Sequence, residues 1–512
     1  MVWRATDPQG HESAKIRWEL PRYTRGRGLD LGCGPDKAFP HFIGVDNGDH
    51  AEHFGSPNAA DIIVRTCEKL EIFASASMDF VFSSHLLEHI EDTKATLTEW
   101  WRLVRQGGYL ILYLPHKALY PNMGSPDANP THKHDFLPQD IVAIMREVGF
   151  WDLVRNEDRN EGREYSFFQV YKKSQDRKHT FSCREPKPTK TCAVVRYGAL
   201  GDMIIASSIL PWLKAEGYHI TLYCSPYGYD VVQHDPHIDA FYIQDKDQVP
   251  NQMLGDFMRH EERKYTKFVN LNGSIETYLL PDQYHAEFHW PDSFRRSTMN
   301  KNYLEVTHAI AEVPLPVRPK FYATAEERAW ARAQRERIRA PVVLWSLSGS
   351  SVHKTWPHMD AVIARLMLQT PAHVVMVGSG IDQLLQAGWE SEPRVHLKAG
   401  VWSVRQAMAF TETVDVIVGS ETGLLNAAGS SDVAKIVMLS HSTAENLTKH
   451  WKNTIALMPP SAVGCYPCHR LHHTFEYCHQ DEATGSSICQ AAIDIETVWE
   501  AMRLSLDRRR AA

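Results

Sequence analysis

Short apolar runs alternate with longer amphipathic stretches along almost the whole chain. Strand-length runs followed by helix-period stretches predict βαβ units and parallel sheets. The pattern occurs in three sets. The first has predicted strands at 28–31, 42–46, 78–82 and 108–114. The second has them at 192–196, 219–224, 240–244 and 267–271. The third has them at 342–346, 373–378, 395–397, 414–419 and 434–438. Between the first two sets lies KKSQDRKHTFSCREPKPTK, residues 172–190, which is polar, charged and contains Pro186 and Pro188. It reads as an interdomain linker. Residues 323–339, followed by Pro341, read as a charged helix suited to crossing between two lobes.

Composition narrows the partners. The chain has 512 residues, 43% hydrophobic and 23% charged, which is ordinary globular usage and long enough for several folding units. Its formal net charge is −7, and its one basic block is the tail Arg508-Arg509-Arg510. A general electrostatic grip on nucleic acid is not indicated, although a local basic groove stays open. The first fifteen residues, MVWRATDPQGHESAK, have no apolar core and do not read as a secretory signal. No apolar run approaches the ~18 residues that span a bilayer. A cytoplasmic protein is expected, and there structural disulfides are uncommon.

The first set carries candidate cofactor chemistry. The strand Gly28-Leu29-Asp30-Leu31 runs into Gly32-Cys33-Gly34-Pro35, where glycines permit a sharp turn and a close ligand approach. The next strand ends in Asp46, placed to accept hydrogen bonds from ribose hydroxyls. A dinucleotide site competes, but the full GxGxxG is absent. The pieces LDLGCGPD (29–36), GVD (44–46), MDFVFSSHLLEHIED (78–92) and LVRQGGYLILYLPH (103–116) decide between them. In that order they resemble the class I S-adenosylmethionine (SAM)-dependent methyltransferases over about residues 20–172.

This resemblance implies that Asp30, Gly32 and Gly34 line the methionine side of SAM, that Asp46 holds the ribose and that Glu68 lies near the adenine. Ser84 and His85 should border the methyl group. SAM arrives activated, so positioning the acceptor supplies much of the catalysis. A hydroxyl acceptor also needs a base. His85, His89, His116, His132, His134 and Asp135 are candidates, with turn caps and solvent-facing rings as the plain alternative.

In the second set the key segment is RYGALGDMIIASSILPWLK, residues 196–214. A helix is expected to begin near Asp202 and bury Ile204, Ile205, Ile209, Leu210 and Leu213. An aspartate in a first helical turn also complements the macrodipole, a purely structural role. Two further pieces are LSGSSVHKTWP (347–357) and GSETGLLNAA (419–428). Together the three resemble the heptosyltransferase-like glycosyltransferases of family nine, which have the two-lobed GT-B fold, over about residues 190–500.

The resemblance implies inverting transfer from a nucleotide sugar, with an ADP-heptose-like donor. Asp202 would be the general base and Lys354 would neutralise the leaving diphosphate. Ser348, Ser350, Ser351, Thr422 and Gly423 would meet phosphates, and Glu421 would meet sugar hydroxyls or orient the donor. Glu421 replaces the more usual Asp, and Asn426 stands where His is common, which leaves the sugar open.

Four of the nine cysteines fall at Cys465, Cys468, Cys478 and Cys489, interleaved with His469, His472, His473 and His479. Thiolates at these spacings suit one structural zinc. A disulfide pair or free thiols are the alternatives, and each reading makes the segment a loop clamp.

The expected organisation is therefore α/β throughout. Residues 1–172 form a Rossmann-like methyltransferase domain and 173–190 the linker. Residues 191–335 form the acceptor lobe of a GT-B glycosyltransferase, and 336–512 its donor lobe, with the cysteine segment at 465–489. The leading functional expectation is a bifunctional glycan-modifying enzyme of lipopolysaccharide or surface-polysaccharide assembly. Its partner is a saccharide or lipid-linked glycan acceptor, with peripheral membrane contact. The alternatives are phage-type glycosylation or methylation of nucleic-acid bases, and one domain decayed to a binding module.

Overall fold

The computed structural model describes residues 12–49, 55, 57–184, 188–315 and 320–511, the last four as main chain only. Most of the N-terminal segment and the Arg508–Arg510 side chains lie outside this set, as do Glu185, Pro186 and Lys187 of the predicted linker. The chain divides into two compact units. One comprises residues 1–189 with 244–264, and the other 190–243 with 265–512.

The first unit is built on a seven-stranded sheet in the order β3-β2-β1-β4-β5-β7-β6. Its strands are β1 (Gly28–Leu31), β2 (Ile43–Asp46), β3 (Ile62–Ile63), β4 (Met78–Ser84), β5 (Val104–Pro115), β6 (Trp151–Arg159) and β7 (Ser166–Lys173). β1 to β5 pair in parallel, and β7 runs antiparallel to both β5 and β6. The β6–β7 pair and short β3 were not foreseen from the sequence pattern. The apolar runs of β4 and β5 are continuous because both faces of the sheet are covered. Met78, Val81, Leu110, Leu112 and Leu114 pack into one core, whereas Phe80, Phe82, Ile111 and Tyr113 pack into the other with Ile16 and Leu20.

Residues 244–264, expected from sequence in the acceptor lobe, belong to the first unit. Their helix Asn251–Glu262 brings Phe257 to 6.4 Å from the Trp18 ring. Buried charges fix it in place. Glu261 meets Arg22 at 2.9 Å and Lys264 at 2.7 Å, and Glu19 meets Lys264 at 2.9 Å and His260 at 3.1 Å. Burial opposes ionisation of Glu19, but these cationic neighbours and Arg155 hold its carboxyl far below the usual range.

The second unit has two wholly parallel sheets, the arrangement expected of a GT-B fold. The four-stranded sheet runs β10-β9-β8-β11, from β8 (Thr191–Val195), β9 (His219–Cys224), β10 (Ala240–Ile243) and β11 (Lys267–Asn270). The six-stranded sheet runs β14-β13-β12-β15-β16-β17. It comprises β12 (Val342–Ser346), β13 (His373–Val377), β14 (Val395–Leu397), β15 (Val416–Ser420), β16 (Ala434–Met438) and β17 (Thr454–Leu457). The predicted charged helix is present as Ala325–Glu336, started by a capping box between Thr324 and Glu327.

The two lobes are lashed together by Arg405. Its buried guanidinium pairs with Glu327 and donates to the Val231 carbonyl at 2.7 Å and the Tyr322 carbonyl at 2.9 Å. They also meet where helix Leu200–Ser207 of the first lobe reaches helix Gly423–Ala428 of the second. A Cβ on Gly201 would lie 2.8 Å from Asn426 Nδ2, and one on Gly423 would lie 2.7 Å from Leu200 Cβ. Glycine at both positions lets the two helix starts touch.

In all three sheets the first strand lies between neighbours reached in opposite directions, β1 between β2 and β4, β8 between β9 and β11, and β12 between β13 and β15. The carboxyl ends of strands at such a reversal open into a crevice, the usual ligand position in α/β sheets.

Candidate active sites

In the first unit the turn after β1 is shaped as a cradle. Gly32 and Gly34 have φ of +69° and +55°, a left-handed conformation that favours glycine. A Cβ on Gly32 would strike Leu86, whereas one on Gly34 would meet nothing within 4 Å. Gly34 therefore borders open space. Asp46, at the end of β2, is buried and accepts Gly34 N–H at 2.9 Å and Gly48 N–H at 2.7 Å. Each carboxylate oxygen retains a lone pair for a further donor. Ser84 Oγ, at the end of β4, is buried without a hydrogen-bond partner among the described residues. Open space, a buried carboxylate and an orphaned hydroxyl at strand ends fit a hydroxyl-bearing, cationic ligand such as SAM.

Asp30 sits deeper than the cofactor-lining place expected of it. It is 1% exposed and accepts Ala38 N–H at 2.8 Å, which pins the loop after the glycine turn. Burial raises its pKa to about 7, with the Ala38 hydrogen bond opposing. Glu68 is partly buried, two residues after Thr66, whose hydroxyl accepts its N–H at 3.2 Å.

The candidate bases separate. His116 accepts Ala118 N–H on Nδ1 at 3.0 Å, His134 lies 3.1 Å from the Glu91 carbonyl and stacks on Phe136, and Asp135 accepts Met123 N–H. These three hold loops. His85, His89 and His132 instead gather near Glu88. His85 follows β4 with φ +50° and its Nε2 lies 2.9 Å from Ser166 Oγ. Burial lowers the His85 pKa to about 4, so its ring is neutral near pH 7. Glu88 has a wholly buried side chain, and neither carboxylate oxygen has a hydrogen-bond partner. Sequence reading passed over Glu88, although the spacing His85-x-x-Glu88-His89 was visible.

In the second unit Asp202 has both a structural and a chemical environment. One oxygen accepts Ala199 N–H at 2.8 Å as half of a helix cap. The other lies 3.2 Å from Arg196, whose buried guanidinium pairs with both oxygens of Glu276 at 2.7 and 2.8 Å. The Asp202 side chain stays 22% exposed, so solvent-side approach is open. Gly198 has no room for a side chain, since its Cβ would lie 2.6 Å from Asp202 Cβ. Arg196 and Glu276, 80 residues apart, were not anticipated as its neighbours.

Lys354 comes from the opposite lobe. Burial lowers its pKa, while the charges of Glu421 and Asp202 oppose that shift. The lysine thus lies in the field of one carboxylate from each lobe. Glu421, expected to meet the donor sugar, is instead engaged by protein. It is buried and accepts Ser442 Oγ at 2.7 Å and Ser440 N–H and Oγ at 3.2 Å, with His441 Nδ1 at 2.6 Å. Burial works against its ionisation, but His441, Lys354 and Ser442 hold its pKa at about 2. Its place is that of an anchor for 440–442 and a fixed counter-charge to Lys354.

The phosphate-contact residues divide as well. Ser348 Oγ donates to Asp382, tying two loops, and Thr422 Oγ1 lies 3.1 Å from Ser346 Oγ. Gly423 makes the helix contact described above. Ser350 is exposed, and Ser351 Oγ is buried without a partner.

The four cysteines Cys465, Cys468, Cys478 and Cys489 are free thiols lining one cavity of about 80 Å³ with His472 and His479. Burial pushes Cys478 up to about 12 and Cys489 to about 11. Cys468 Sγ lies 3.8 Å from His472 Nε2. The donor types fit zinc, but no three ligand atoms of this set meet within 4.8 Å. Among the described residues that convergence is found for Glu88, His89 and His132.

Both units are built on α/β sheets, and comparison with known proteins bears on part of the first. Residues 29–112 match the methyltransferase domain family, so the chain carries a methyltransferase domain. No curated protein sequence matches the chain. Among solved structures, the glycosyl transferase family 9 protein of Veillonella parvula is similar at 15% identity, covering 62% of this chain and 98% of that one, with a TM-score of 0.46. The ADP-heptose LPS heptosyltransferase II of E. coli is similar at 16% identity, covering 62% and 99%, with a TM-score of 0.43. A SAM-dependent methyltransferase from Archaeoglobus fulgidus is similar at 20% identity, covering 31% and 92%, with a TM-score of 0.25. No helix among the described residues is long and apolar enough to cross a membrane.

Proposed function

We propose that the chain is a bifunctional glycan-modifying enzyme that transfers a sugar from a nucleotide-sugar donor and methylates a hydroxyl of a saccharide. The observation that carries the first activity is that Lys354, from the second lobe, lies in the field of Asp202 from the first. A carboxylate base and a half-buried ammonium on facing lobes are the two charges that inverting transfer requires. Asp202 takes the proton of the acceptor hydroxyl, and that oxygen bonds to the anomeric carbon. The bond from that carbon to the diphosphate breaks, and Lys354 receives the leaving charge. Arg196 and Glu276 hold Asp202 in place, and the charge of Glu421 favours the protonated form of Lys354. Ser350 and Ser351 remain the available hydroxyls for donor phosphates.

The methyltransferase match and the glycine cradle support the second activity. SAM supplies an activated methyl group when bound. Asp46 would hold its ribose, Gly32 and Gly34 would admit its methionine part, and Ser84 and His85 would face the reacting end. The neutral His85 ring is able to take up a proton. Both activities are placed in the cytoplasm, with a saccharide or lipid-linked glycan as acceptor.

A panel of nucleotide sugars tests the first reading by thermal stabilisation and donor hydrolysis. One sugar diphosphonucleoside, ADP-heptose-like by expectation, should raise the melting temperature, and silence across the panel would sink the reading. Calorimetry with SAM tests the second. Asp46→Ala should weaken binding by about 10–100-fold, the worth of charge-assisted hydrogen bonds, and unaltered affinity would remove Asp46 from the site.

The cysteine-lined cavity is read as a structural zinc clamp on the strength of its donor chemistry. About one zinc per chain is expected by elemental analysis of the purified protein, and a metal-free, fully folded protein would end that reading.

A further inference from the structure

We propose that Glu88, His89 and His132 form a divalent-cation site at the reacting end of the methyltransferase domain, where the cation takes oxygen atoms of a hydroxylated acceptor. The ligand atoms of these three side chains lie within 4.8 Å of one another. Protein nitrogen and oxygen ligands sit ~2.0–2.2 Å from such ions, so atoms at this mutual spacing need only small movements to share one. Two imidazoles and a carboxylate suit borderline ions such as manganese, iron, cobalt or zinc.

The open side-chain atoms of Glu88 and His89 suit a cation. Among the described residues both Glu88 side-chain oxygens are buried without a hydrogen-bond partner, and the imidazole nitrogens His85 Nδ1 at 3.7 Å and His89 Nε2 at 3.9 Å are beyond hydrogen-bond reach. The facing nitrogen of His89 is an acceptor too. The Thr131 hydroxyl donates to Asn129 Oδ1 at 2.8 Å, so at 2.9 Å from His89 Nδ1 it accepts. That assigns the ring proton to Nδ1 and leaves the Nε2 lone pair directed toward Glu88. That lone pair and the Glu88 side-chain oxygens can serve one cation together. A hydrogen bond on the far ring nitrogen is also how metal-binding imidazoles are oriented.

His132 is delivered by backbone contacts. The Glu88 carbonyl accepts Lys133 N–H at 2.7 Å and His134 N–H at 3.2 Å, which pins the 129–134 loop over the turn Leu87–His89. The His132 ring stacks on Tyr120 at 5.2 Å and meets the His89 ring edge-on at 4.7 Å. Three protein ligands leave an octahedral ion about three open positions, two of which a vicinal diol fills. The role toward an acceptor rests on the methyltransferase reading, whereas the cation site itself does not.

Manganese alone, titrated into the full-length protein and followed by the loss of its free-ion electron paramagnetic resonance signal, tests the site. About one ion per chain should bind, and Glu88→Gln and His132→Ala should each weaken binding at least ~10-fold. Cys468→Ser should leave it unchanged, which separates this site from the thiol cavity. His132 lies on a partly exposed loop, so its variant carries the test if the buried Glu88 variant does not fold. No bound manganese, or equal binding in both variants, overturns the proposal. Manganese binding without SAM binding would sustain the cation site and overturn the methyltransferase reading instead.

Discussion

Asp202→Asn is expected to lower sugar transfer by about 10²–10⁴-fold, the usual contribution of a positioned general base, with little change in stability. The structure makes this substitution informative. Asparagine keeps an oxygen to accept Ala199 N–H, so the helix cap survives. Arg196 keeps its two contacts to Glu276, so its buried charge is not stranded. What disappears is the carboxylate able to take a proton. The measurement is turnover of the donor identified in the nucleotide-sugar panel, beside a thermal melt of the same preparation. Near-normal turnover would reduce Asp202 to its capping role, the structural alternative its place in a first helical turn always allowed. Because the methyl-donor site lies in the other unit, SAM affinity should not move.

The second large effect is on stability and is set by pH. Asp30 is buried, and burial raises its pKa from 3.8 to about 7. Below pH 3.8 the folded and unfolded chains both hold the proton. Between about pH 4 and 7 the unfolded chain releases it while the folded chain retains it, so stability falls as pH rises. The loss reaches about 4 kcal/mol by pH 7 and then levels off. Asparagine has no proton to release and still offers an acceptor to Ala38. Asp30→Asn should therefore match the parent near pH 4 and be more stable by a few kcal/mol at pH 8. Denaturant melts of the SAM-free protein across that range read the difference, and a gap that did not widen with pH would refute the assignment.

Legibility followed sequence distance. Gly32, Gly34 and Asp46 were readable because a strand, a tight turn and the next strand end bring them together within a short span. The three sets of strands were readable because each strand of a covered parallel sheet must be apolar on both faces, as Phe80 and Val81 are. Local reading failed where a residue's partner came from afar. Glu421 carries the motif of a donor-binding acid, yet Ser440, His441 and Ser442 close around it. Ser348 looked like a phosphate contact and is tied to Asp382. Glu88 and His132, 44 positions apart, converge only because the Glu88 carbonyl anchors the later loop. The segment 244–264 was expected in the acceptor lobe, and the amphipathic face of its helix Asn251–Glu262 demands a partner without naming one. Glu19, Arg22 and Trp18 supplied it from the first unit.

Adjacency along the chain settled the chemistry on offer: three sets of parallel strands, a glycine turn with a following acid, an aspartate opening one helix and a lysine ahead of Trp-Pro. These follow from backbone sterics, strand periodicity and residues adjacent in the chain. Tertiary structure alone decided which of those groups are open to act. Hydrogen-bond capacity is finite, so a carboxylate enclosed by serines is an anchor, whereas the Glu88 side chain, with no partner among the described residues, keeps its oxygens open to a ligand. That distinction depends on partners tens of residues away, and only the folded chain brings them within reach.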